Sequence, residues 1–110
     1  MRNSTIRVSA FDIKRGRKHS FTYNPIARAI WQRLRDRTLV QLVHDEVLIA
    51  GHGRVWFKLP LRAIRFAARF DEAKPVAPIS FSLPIPPHLL RRNSDGKRDL
   101  AGYPFYDSQV

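Results

Sequence analysis

The chain has 110 residues, enough for one domain with one modest core; at 44% hydrophobic and 26% charged it reads as a folded soluble chain rather than a disordered one. Twenty Lys and Arg against nine Asp and Glu give a formal net charge of +11, which suits phosphate backbones, acidic proteins or anionic membrane surfaces as partners. The absence of cysteine excludes disulfides, thiolate metal sites and cysteine nucleophiles, and the apolar runs are too short to cross a membrane.

Residues 1–20 lack the apolar stretch of a secretory signal, so a cytoplasmic location is expected. Fifteen of the twenty basic residues are Arg. A planar guanidinium bonds phosphate bidentately and stacks on bases, which an ammonium cannot do. A genome rich in G and C would give the same Arg excess, so the excess alone assigns nothing.

Residues 4–13 and 18–23 alternate in polarity, and pairing them across Arg15-Gly16 puts Val8 opposite Tyr23, Ala10 opposite Phe21 and Asp12 opposite His19. This predicts a half-buried hairpin whose tip carries Lys14, Arg15, Arg17, Lys18 and His19, with Gly16 supplying a positive φ so that the turn closes. Asn24 is a good helix cap and Pro25 suits the first helical position, so a helix is predicted over 25–37. Its apolar face is Ile26, Ala27, Ile30, Trp31 and Leu34; Arg28, Gln32 and Arg35 lie opposite, flanked by Arg33 and Arg37.

Residues 39–50 fit both a helical and a strand period, but the Gly51-His52-Gly53 loop favours a hairpin for the second half. Pairing across that loop matches Ile49 with Val55, Val47 with Phe57, Leu48 with Trp56 and Glu46 with Lys58. Residues 60–75 read either as a strand or as a helix with Arg62, Arg65 and Arg69 on one stripe. An offset of 35 residues superposes Gly16 on Gly51, Phe21 on Trp56, Pro25 on Pro60 and Trp31 on Phe66. The offset suggests two β-β-α units, about 4–37 and 40–73, and so favours the helix for 60–73. Ile79 to Leu83 is a short strand bracketed by prolines, which belongs at a sheet edge. Trp31, Trp56, Phe66 and Phe70 are expected in the core.

The expected fold is a small α+β domain over 1–87, a mainly antiparallel sheet with two helices, followed by a C-terminal arm over 88–110. The arm is polar apart from Leu89-Leu90 and Tyr103, Phe105 and Tyr106, and is expected to be partly flexible, to fold back on the domain, to order on a partner or to clasp a second copy as a homodimer.

Three groups of bases are candidate phosphate contacts: Lys14, Arg15, Arg17, Lys18 and His19; Arg28, Arg33, Arg35 and Arg37; and Arg62, Arg65 and Arg69. Several arginines on one surface give strong, salt-sensitive affinity for nucleic acid, although a charge run is also what a merely solvated face looks like. No histidine pair has helical metal-ligand spacing, and no P-loop or Gly-x-Ser-x-Gly motif is present, so no metal, cofactor or catalytic residue is expected. The first functional expectation is a non-enzymatic protein that binds DNA or RNA through its phosphates. The main alternative is a small inhibitor or assembly factor that docks a basic face on an acidic protein. A metal-free ribonuclease, whose His, Arg and Tyr would leave no local motif, is the lesser one.

Overall fold

The computed structural model describes residues 3–91, in the order β1 (Ser4–Val8), α1 (Ala10–Arg15), α2 (Pro25–Trp31), β2 (Leu39–Val43), β3 (Glu46–Ala50), β4 (Arg54–Lys58), α3 (Leu61–Asp71) and β5 (Ile79–Leu83), then a 3-10 turn at Pro87–Leu89. The architecture is α+β, with two separate antiparallel sheets. One holds β1 and β5; the other has the order β2-β3-β4.

Only Ser4–Val8 of the expected first hairpin is a strand, and its partner is β5, with Ile6 opposite Phe81. Residues 10–15 are helical. Ser9 Oγ accepts from the Asp12 amide at 3.1 Å while Asp12 Oδ2 accepts from the Ser9 amide at 3.0 Å, a reciprocal cap that satisfies two otherwise unpaired helix donors. That local bonding outweighs the strand alternation, so the pairs Val8–Tyr23, Ala10–Phe21 and Asp12–His19 do not form. The β-β-α repeat fails with it. The second unit is nevertheless present as β3, β4 and α3, and 61–71 is helical.

The Asn24-Pro25 start is as expected: Asn24 Oδ1 accepts from the Ala27 amide at 2.8 Å, and Pro25 opens α2. The helix ends at Trp31 rather than near 37, and it is not amphipathic. Every residue from Pro25 to Trp31 is buried, Arg28 included, because α2 packs on α1, on α3, on β1 and on β2 at once. It is the joint between the two sheets.

The three-stranded sheet has the expected β3–β4 register in full: Glu46–Lys58, Val47–Phe57, Leu48–Trp56 and Ile49–Val55. Its inner face buries Val40, Val47, Ile49 and Phe57, with β2 packed on α2; Ile6, Val8, Phe81 and Leu83 close the core from the other sheet. Each such side chain contributes about 1.5–3 kcal/mol by leaving water. Gly51 and Gly53 take positive φ in the β3–β4 loop, 117° and 86°, which their lack of a Cβ allows. Of the expected C-terminal arm, 88–91 pack on the body, where Leu89 is buried and Leu34 bridges Leu90. The remainder, with Tyr103, Phe105 and Tyr106, lies outside the described residues.

Candidate nucleic-acid interface

Lys14 and Arg15 occupy the last turn of α1, beside carbonyls that favour cations. Arg17, Lys18 and His19 follow in an exposed loop that is folded back on the body rather than projecting as a hairpin tip. The Arg17 amide donates to the Tyr23 carbonyl at 2.8 Å, and the His19 amide donates to Asp71 Oδ1 at 2.9 Å. That second bond joins the loop to Asp71 at the C-terminal end of α3.

Arg28 is the member that the structure removes from the surface. It is 1% exposed, and its Nε lies 3.7 Å from Asp12 Oδ1. Its guanidinium carbon sits 5.6 Å from the centroid of the Phe11 ring, over which Arg15 also lies at 5.5 Å. Phe11 therefore shields the buried arginine with a cation–π contact. A phosphate cannot reach Arg28 in this fold.

Arg33, Arg35 and Arg37 continue from the other end of α2. They run alongside 88–91: the Arg35 amide donates to the Leu89 carbonyl at 2.9 Å and the Arg91 amide to the Arg33 carbonyl at 3.0 Å. Arg35 and Arg37 are exposed and Arg33 is partly buried. The seven-residue α2 separates this group from the α1–α2 loop by about 10 Å along the helix axis.

Arg62, Arg65 and Arg69 do share one stripe of α3, and all three are exposed. They line an open groove of about 460 Å³ whose floor and far wall are Leu61, Phe66, Pro75, Val76, Ala77 and Ile79. A second cavity, of about 340 Å³, lies on the opposite flank of α3, where His19, Phe21, His44 and Asp71 are among the lining residues. No group of three or more His, Asp or Glu among the described residues is placed to hold a metal ion.

Trp56 departs from its expected place. It is 50% exposed on the outer face of the three-stranded sheet, not in the core, whereas Trp31 and Phe66 are buried as expected and Phe70 is partly so. The signal was available in Arg54-Val-Trp-Phe-Lys58. At a period of two, Trp56 shares its face with Arg54 and Lys58, which charge keeps in water. Leu48 lies beside Trp56 in register, and Gln41 lies beside Leu48. The result is an aromatic plane with a cation about 7 Å to either side along the strand. Lys58 also approaches Asp45 at 3.9 Å, an exposed pair that binds it weakly.

Comparison with protein-family models, with curated proteins and with solved structures finds no match, so the chemistry of these surfaces rests on their own residues.

Proposed function

We propose that this protein binds nucleic acid without catalysing a reaction, stacking an unpaired base on Trp56 and holding phosphates on the surrounding bases. The observation that carries this reading is Trp56, half exposed between Arg54 and Lys58 on one sheet face. An aromatic platform with flanking cations suits a single strand, because every base has a π-face and every nucleotide brings a charge. The formal charge of +11 adds long-range attraction to the same polymer, and Lys14, Arg15, Arg17, Lys18, Arg35 and Arg37 are exposed to extend the contact. DNA and RNA are equally served by this chemistry, and a cytoplasmic location accords with it.

Intrinsic fluorescence tests the reading directly, since Trp31 is buried and Trp56 is not. Titration with oligodeoxythymidine or oligouridine should quench emission. Trp56→Ala should weaken binding about 5- to 150-fold, the usual value of one stacked base. Log affinity should fall with log salt by about 0.7 per phosphate held. Unchanged affinity in Trp56→Ala, or binding indifferent to salt, would overturn the proposal. The alternative reading, an inhibitor or assembly factor docking on an acidic protein, draws on a different surface, the arginine-lined groove of α3.

A further inference from the structure

The groove between α3 and residues 75–79 has a composition unlike that of the sheet face. None of its lining residues is acidic, and Arg62, Arg65 and Arg69 stand along one wall. Its other lining is apolar: Leu61, itself 59% exposed, with Phe66, Val76, Ala77 and Ile79. Arg69 Nη2 donates to the Pro75 carbonyl at 3.1 Å, tying the helix to the far wall. Arg62 and Arg65 enter no ion pair with a carboxylate among the described residues.

We infer that this groove is the docking site for an acidic amphipathic helix of a partner protein. The arginines succeed one another by three and four residues, about 4.5 and 6 Å along the axis. A partner helix with carboxylates at i, i+3 and i+7 presents the same intervals. Its adjoining stripe of aliphatic side chains covers Leu61, Val76 and Ile79, which water otherwise wets. Nucleic acid is the poorer occupant. The floor is mainly aliphatic, Phe66 is buried, and the only polar side chains lining the groove are the three guanidinium groups, so a base would find no aromatic plane and no side-chain acceptor for its edge, while the aliphatic floor would stay uncovered. The surface uses different elements from Trp56, and either proposal can stand alone.

The probe is a synthetic amphipathic peptide with Glu at i, i+3 and i+7 and Leu on the neighbouring edge, followed by amide NMR of the full chain. Signals from Arg62, Arg65, Val76 and Ile79 should move, while a Gln-for-Glu peptide should leave them in place. Arg62→Glu with Arg65→Glu should weaken binding by about tenfold or more, because like charges then face each other. A Lys-for-Glu peptide should restore binding to that variant. Both positions are exposed, and Arg62→Glu in the first turn of α3 suits its dipole, so the variant should remain folded. Absence of shifts along α3, equal shifts with the Gln peptide, or movement of these signals by oligouridine and not by the acidic peptide would each overturn the inference.

Discussion

Asp12 and Arg28 form an ion pair inside the protein, with Nε 3.7 Å from Oδ1 and the two side chains 1% and 2% exposed. Asp12 also accepts from the Ser9 amide, from Ser9 Oγ and from Gln32 Nε2, so one carboxylate caps α1 and ties it to the end of α2. Asp12→Ala should cost about 3–5 kcal/mol of stability, because it leaves a buried guanidinium without its charge partner. Asp12→Ala combined with Arg28→Met should cost less than the sum of the two single changes. Urea unfolding of the three variants measures both; a loss below about 1 kcal/mol for Asp12→Ala would mean that the pair does not hold the interior together.

Gly16 and its neighbouring arginines should separate cleanly. Gly16 has φ −68°, an ordinary value, so its importance is not the positive φ that a hairpin turn would need. A Cβ there would lie 2.5 Å from Pro25 Cγ and 2.9 Å from the Asp12 carbonyl oxygen, both parts of a fixed corner. Gly16→Ala should therefore lower stability by about 1–3 kcal/mol through crowding. Arg15→Ala with Arg17→Ala should change stability by less than about 1 kcal/mol. That double variant should bind oligonucleotide more weakly, and its salt slope should flatten by about 0.7 for each phosphate that it no longer holds on a single strand. Unchanged slope and affinity would remove this cluster from the interface.

Leu89 belongs to the core at 1% exposure, held by Arg35 and the Leu34–Leu90 bridge. Leu89→Ala should cost about 2–5 kcal/mol, and truncation after Pro87 should lower the thermal midpoint for the same reason. A midpoint equal to that of the full chain would show that the packing of 88–91 adds nothing.

Tyr23 contributes a dependence of stability on alkaline pH. Partial burial raises its phenol pKa above the ordinary value of 10.0, and the Arg17 charge offsets this in part. The folded state therefore favours the neutral phenol. That contribution is present below pH 10.0 and is lost as pH rises through the folded value. Tyr23→Phe should show a smaller loss of stability between neutral and strongly alkaline pH; identical profiles would show that another group governs it.

Features set by neighbours in sequence are legible. Asn24-Pro25 marks a helix start, the Gly51 and Gly53 loop fixes the β3–β4 register, and the prolines around Ile79–Leu83 mark a strand with a free edge. Partnership between distant segments is not. Alternation shows that Ser4–Val8 is a strand but carries no sign of what pairs with it, and the adjacent run at 18–23 is a plausible false partner. The cap between Ser9 and Asp12 is visible as a three-residue spacing, yet the surrounding alternation masks it. Charge ordinarily keeps an arginine such as Arg28 in water; the Asp12 carboxylate and the Phe11 ring, brought up by α1, help to make its burial tolerable. Trp56 misleads in the opposite sense, because a large aromatic ring suggests burial, although Arg54 and Lys58 mark its face.

The pairing of β1 with β5 makes the first described strand wait for the last. During synthesis Ile6 and Val8 emerge early, and neither can be covered by Phe81 and Leu83 until nearly the whole domain has left the ribosome. The nascent chain thus carries an unpaired apolar strand until β5 has been made, the kind of segment that invites chaperones and aggregation. Moving β5 ahead of β1 by circular permutation would let this sheet close first and shorten that exposure.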